Sequence, residues 1–131
     1  LRGGLPLIVR GANNRAADRP HLIGNALLDN PTIDRWFNTS AFAASAPFTY
    51  GNTPRTLPNV RGPGFASVDF SLAKNIAFTE TLRLQFRSEF FNLTNRVNLN
   101  QPDTNFTSGN FGRIISAGEP RRVQFGLKLY F

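Results

Sequence analysis

The side chains that could do chemistry in this chain are few. His21 is the only histidine and there is no cysteine, so thiolate sites, multi-histidine zinc sites and disulfides are excluded. A Ser–His–Asp relay would have to use His21, which follows Pro20 in a loop-like stretch. A loop residue bonded to backbone is the simpler reading. The 8 carboxylates are spread along the chain, and no pair has a spacing suited to shared acid–base work. Asp103-Thr104-Asn105-Phe106-Thr107 offers alternating oxygens to a hard cation. It lacks the acidic count and closing glutamate of a calcium loop and reads as an Asn-rich turn. Gly62-Pro63-Gly64 has neither the following Lys-Ser/Thr nor the helix of a phosphate loop, and reads as a turn before a strand. No catalytic residue, cofactor or metal is expected, and the chain reads as non-enzymatic.

The formal net charge is +7, and of the 15 basic residues only Lys74 and Lys128 are lysine. Arginine makes planar, multi-donor contacts to carboxylates, carbonyls and aromatic faces. The arginines are scattered rather than clustered, so no nucleic-acid partner is expected. Arg121-Arg122 could meet phosphate or lipid head groups; pairing with a carboxylate or carbonyls of a neighbouring strand or subunit is the simpler use.

The informative residues are apolar ones at strand spacing. Val123, Phe125, Leu127, Leu129 and Phe131 fall on one face of a strand, and Gln124, Gly126, Lys128 and Tyr130 on the other. Upstream, residues 66–76 alternate with Val68, Phe70 and Leu72 on one face and Asp69, Ser71 and Ala73 on the other. After a turn near Thr79-Glu80, Leu82, Leu84, Phe86 and Phe90 alternate with Arg83, Gln85, Arg87 and Glu89 over residues 81–91. This is a hairpin with an apolar and a charged face, and charges of both signs on that face can pair across strands. Nine residues rise about 30 Å, enough to cross a bilayer core when tilted.

The rest is loop-like. Residues 5–10 could form a short strand, restricted by Pro6 to an edge or a strand start. Asp34-Arg35-Trp36-Phe37-Asn38 could form a helical turn with Thr32 as N-cap. Trp36, Phe37, Phe42, Phe48 and Tyr50 argue against disorder in this half. Trp36 and Phe37 are expected to anchor it onto the sheet or onto a neighbouring copy. The division expected is an irregular segment over residues 1–62 and an antiparallel strand segment over 63–131. A second Asn-rich loop covers 92–112. The chain contains no methionine, even at position 1, and reads as a processed product or a piece of a larger protein. No leader-like stretch opens it, and no apolar run approaches a transmembrane helix.

These motifs together carry a family likeness. In order they are Asp18-Arg19-Pro20-His21-Leu22-Ile23-Gly24, Trp36-Phe37-Asn38-Thr39-Ser40-Ala41-Phe42, Arg61-Gly62-Pro63-Gly64 and Val68-Asp69-Phe70-Ser71-Leu72-Ala73-Lys74-Asn75. They continue with Leu84-Gln85-Phe86-Arg87-Ser88-Glu89-Phe90-Phe91-Asn92-Leu93-Thr94-Asn95, Phe111-Gly112-Arg113-Ile114 and the run from Pro120 to Phe131. The chain resembles the C-terminal end of TonB-dependent outer-membrane receptors, especially the Oar-like group that bears a carboxypeptidase-regulatory domain. The resemblance implies a large outer-membrane barrel with a plug and a TonB box, importing bulky substrates. It also implies a final aromatic residue, here Phe131, read by the barrel-assembly machinery. Thr94 departs from the aromatic expected in its motif. The plug, the TonB box and most strands are not in this sequence. In a bacterial setting the sequons at Asn38, Asn92 and Asn105 are chance matches.

The fold expected is all-β: three to four long antiparallel strands with long ordered loops, an incomplete barrel-like sheet completed by neighbouring strands or subunits. Even the smallest membrane barrels use about eight strands, so the edges must find partners elsewhere. The leading expectation is a self-assembling structural subunit, an extracellular or cell-surface filament or tube whose partners are copies of itself. Strand 123–131 would be the donor, and strands 66–76 and 81–91 the acceptor surface. The alternative is the C-terminal strands of a barrel for TonB-dependent uptake in the bacterial outer membrane, with lipid and the assembly machinery as partners.

Overall fold

The computed structural model describes residues 3–11 and 18–131. Among these the chain is all-β, with five strands and one three-residue 3-10 turn at Thr39–Ala41. The strands are β1 (His21–Leu22), β2 (Phe42–Ala43), β3 (Phe70–Ala77), β4 (Arg83–Phe91) and β5 (Arg122–Tyr130). Antiparallel β1 and β2 form a two-stranded sheet; β3, β4 and β5 form an open antiparallel sheet in that order. The three long strands overlap the stretches where period-two alternation places them, although β3 begins at Phe70 and ends at Ala77 instead of covering 66–76.

Contacts group the chain into two compact units. One is made of Ala66–Asn98 and Gly118–Phe131 and holds the long strands; the other is made of the described residues up to Phe65 together with Leu99–Ala117. The grouping differs from a division at residue 62, because much of the Asn-rich loop joins the loop-rich half. Asp103 N–H donates to the Arg113 carbonyl, Ile114 N–H to Ile33, and Gly112 receives Trp36 N–H, each at 2.8 Å.

In the sheet unit, the β3–β4 turn closes through Phe78 and Thr79 N–H groups, both donating to the Leu82 carbonyl, while Leu82 N–H donates to Thr79 Oγ1. At the other end Asn92 adopts φ 50° and is buried. Its amide donates to the Arg96 and Glu119 carbonyls, and its oxygen accepts from Arg96 N–H. Asparagine tolerates this left-handed backbone because its short side chain bonds locally. Asn98 replaces a strand partner outright, donating to the Ala66 carbonyl and accepting from Ala66 N–H.

The loop-rich unit has its own core of Leu7, Val9, Phe37, Phe42, Leu57 and Val60. Phe37 sits edge-on to Phe111 at 5.1 Å and to Phe42 at 5.8 Å, and Phe106 packs edge-on against Phe111 at 5.5 Å. Such edge-to-face pairs contribute about 0.5–1.5 kcal/mol beyond area burial. The strand expected at residues 5–10 is reduced to single bridges, Pro6 to Arg61 and Arg10 to Asn105. Proline has no N–H to extend a ladder, and the two bridges go to different partners. The helical turn expected at 34–38 is also absent. Thr32 does receive Arg35 N–H on Oγ1, but Trp36 N–H goes to Gly112 and Asn38 N–H to Ala26. Those donors are spent on distant carbonyls, so no helix propagates.

Candidate functional site

Two faces of the β3–β4–β5 sheet emerge from the register. Directly opposed residues of antiparallel strands point to the same side. The rows Phe70–Phe90–Val123, Leu72–Ser88–Phe125, Lys74–Phe86–Leu127 and Ile76–Leu84–Leu129 therefore share one face. Ten of those twelve side chains are apolar. The opposite face carries Ser71–Glu89–Gln124, Ala73–Arg87–Gly126, Asn75–Gln85–Lys128 and Ala77–Arg83–Tyr130.

All residues of β3 and β5 are exposed, including Phe125 at 67% and Leu127 at 70%. Central β4 is partly covered by its neighbours. Large exposed apolar patches mark contact with protein or lipid. On that face Phe70 lies 6.1 Å from Phe90, and Phe86 and Phe125 stack at 6.0 Å. Lys74 is its only charge, on outer strand β3. Ser88 is 5% exposed, with its hydroxyl aimed at the Leu72 carbonyl at 3.5 Å.

The polar face is knitted together internally. Arg87 pairs with Glu89 at 2.8 Å, and Gln85 donates to Asn75 at 2.9 Å. Arg122 lies 5.5 Å from the Phe91 ring and the Lys128 ammonium 4.6 Å from the Tyr130 ring, both cation–π contacts. Beside the β3–β4 turn a cleft of about 400 Å³ is lined by Asn75, Glu80, Arg83, Gln85 and Tyr130 among others.

The apolar residues singled out from the sequence are thus brought together on one surface: Phe70, Leu72, Leu84, Phe86, Phe90, Val123, Phe125, Leu127 and Leu129. Val68 precedes β3 and its carbonyl receives Leu93 N–H. Leu82 closes the hairpin turn, and Phe131 follows β5 with 97% of its surface exposed. Trp36 and Phe37 stand elsewhere. Phe37 is wholly buried in the core of the loop-rich unit, and Trp36 Nε1–H donates to the Arg61 carbonyl at 2.8 Å. Both take part in that unit's own packing. Phe106 and Phe111 complete their cluster; isolated aromatics in an Asn-rich loop gave no periodic signal to mark them.

The segment around Asp103 folds as Asx turns. Asp103 Oδ1 accepts from Asn105 N–H, and Asn105 Oδ1 accepts from Thr107 N–H and hydroxyl. His21 lies in two-residue β1, opposite Ala43. Among the described residues no group of three or more His, Asp or Glu side chains gathers.

A family model described as an outer membrane beta barrel domain matches residues 1–124. No curated protein and no solved structure matches the chain.

Proposed function

We infer the role of this chain from the premise that it belongs to the outer membrane beta barrel domain family: β3, β4 and β5 are adjacent strands in the wall of a bacterial outer-membrane barrel. One observation carries the reading. The register sorts the three strands into an apolar side and a polar side, the alternation a barrel needs between lipid and lumen. Nine-residue β4 and β5 rise about 30 Å and, tilted by about 40°, match an apolar band about 25 Å tall.

The partner of the apolar face is lipid. The outer edges of β3 and β5 have no strand beside them among the described residues. Backbone groups inside a bilayer must be paired, so further strands from outside these 131 residues complete the wall. The role is structural and non-enzymatic. Orientation follows from loop length. Outer-membrane barrels have short periplasmic turns and long extracellular loops. That puts the tight 78–82 turn in the periplasm and the 92–121 connection outside the cell. The likeness to TonB-dependent receptors supports a finer reading, the wall of an importer for bulky substrates.

A second reading rests on the same two open edges. An unpaired edge is a template for another chain, and copies adding strand to strand without closure would form a filament. Single-cysteine variants separate the readings cleanly in a chain with no cysteine of its own. Under the barrel reading, Thr107→Cys is labelled by an impermeant thiol reagent on intact cells. Thr79→Cys is labelled only after the outer membrane is opened. Labelling of Thr79→Cys on intact cells overturns the orientation; recovery of the chain as fibres in the medium overturns the barrel in favour of the polymer.

A further inference from the structure

We propose that the polar face of the β3–β4–β5 sheet is an anion-binding wall, lined by Arg83, Arg87 and Lys128, for solutes that carry carboxylate or phosphate groups. The inference rests on the barrel reading, in which this face borders the lumen, and adds the chemical class of the solute. Its basis is how the charges are distributed along the strands. Arg87 stands opposite Gly126, Lys128 opposite Gln85, and Arg83 opposite Tyr130. These are successive rows of one face, about 7 Å apart.

The carboxylates lie at the two ends. Asp69 and Glu89 are toward the 92–121 connection, and Glu80 is in the hairpin turn. Asp69 is occupied by Asn92 N–H and the Ser67 hydroxyl, and Glu89 is held by Arg87. Among the described residues neither Arg83 nor Lys128 is in an ion pair. The middle of the face is therefore positive. It also presents neutral donors, the amides of Asn75, Gln85 and Gln124, alongside the cations.

Gly126 leaves the floor beside Arg87 open. A Cβ placed there would meet nothing closer than 4.0 Å. The guanidinium of Arg87 keeps donors beyond those that Glu89 uses, and arginine takes carboxylate and phosphate in two-point contacts. In a lumen walled by low-dielectric protein, field lines focus, and a few unpaired cations raise the local concentration of anions.

The test uses Gly126→Cys, on the polar face among the three cations, and Leu127→Cys on the apolar face, each in the membrane-inserted full-length protein. Each is reacted with an impermeant anionic sulfonatoethyl thiosulfonate and with its cationic trimethylammonium counterpart, and the rates are referred to free cysteine. Gly126→Cys is expected to favour the anionic reagent by roughly tenfold at low salt, falling toward unity in 0.5 M NaCl, where the Debye length shrinks to about 4 Å, less than the spacing of the rows. Adding Arg83→Gln and Lys128→Gln is expected to remove most of the preference, and millimolar citrate to slow the anionic reagent in the parent only. Leu127→Cys, facing lipid, is expected to react with neither. Equal rates for the two reagents at Gly126→Cys, or no reaction with either, overturn the anion wall while leaving the barrel standing. Reaction of Leu127→Cys as fast as Gly126→Cys overturns the barrel reading beneath it.

Discussion

Phe86 and Phe125 stack across β4 and β5 with ring centroids 6.0 Å apart and planes 19° from parallel, although neither is the other's register partner. Phe86 stands opposite Leu127, and Phe125 opposite Ser88. The small Ser88 side chain leaves room for the Phe125 ring to lean along the strand onto Phe86. Refilling that gap should drive the rings apart. Ser88→Leu is expected to destabilise the inserted protein by about 1–3 kcal/mol, the usual cost of overpacking. Ser88→Ala should be close to neutral, because the hydroxyl has only a 3.5 Å contact to lose. Urea-unfolding midpoints in lipid vesicles measure both.

Lys74 is the one charge among the apolar rows, level with Phe86 and Leu127. A lysine on the lipid face near the bilayer midplane costs about 2–4 kcal/mol, and less toward the interface. Lys74→Leu should therefore raise the urea midpoint in vesicles, corresponding to a gain in unfolding free energy of up to that amount. A fall in the midpoint would mean that a carboxylate on the strand beside β3 already satisfies the ammonium.

Phe125→Arg tests the same face in the opposite sense. Its ring is two-thirds exposed on a strand whose every residue is open, so in water alone the substitution would change stability little. With lipid against that face it should cost about 2–4 kcal/mol and reduce the folded, heat-modifiable fraction in outer-membrane extracts. An unchanged fraction would remove lipid from this side of the sheet.

The long strands were legible because alternation over eight or nine residues is a strong local signal. Val123 to Leu129 and Leu84 to Phe90 declare both their strand and their face before any contact is known. Pairing β3, β4 and β5 in register adds only the knowledge that these faces coincide. The loop-rich unit was not legible in the same way. Phe37, Phe42, Phe106 and Phe111 meet through contacts between residues far apart in sequence, with no period to reveal them. Asn52 and Asn98 stand in for strand partners through side-chain amides, and propensity reads such residues only as loop. Thr32 offered its cap to Arg35, but the N–H groups that would have continued a helix were claimed from a distance.

That core makes its own prediction. Phe37 is wholly buried with Phe42 and Phe111 edge-on around it. Phe37→Ala should cost about 3–5 kcal/mol in the packing of the loop-rich unit. The sheet unit holds together through separate contacts. Limited proteolysis should then cut within residues 18–65 and 99–117 while the β3–β5 segments stay protected. Equal loss of protection in both would mean that the two units unfold together.

Gly112 combines a backbone demand with a steric one. Its φ is +83°, its N–H donates to the Asp103 carbonyl at 2.8 Å, and its own carbonyl receives Trp36 N–H at 2.8 Å. A Cβ there would lie 2.5 Å from Thr39 Cγ2. Gly112→Ala should therefore incur left-handed strain of about 1–2 kcal/mol and an overpacking cost of about 1–3 kcal/mol. Thr39→Ser removes the obstructing methyl group but leaves the backbone unchanged. Combined with Gly112→Ala, it should recover the overpacking part and leave the strain, a coupling that a double-mutant cycle isolates. Hydrogen exchange at the Trp36 and Gly112 amides reports the result directly. Exchange as slow in Gly112→Ala as in the parent would mean that the loop accommodates the methyl group without loosening its hold on Trp36.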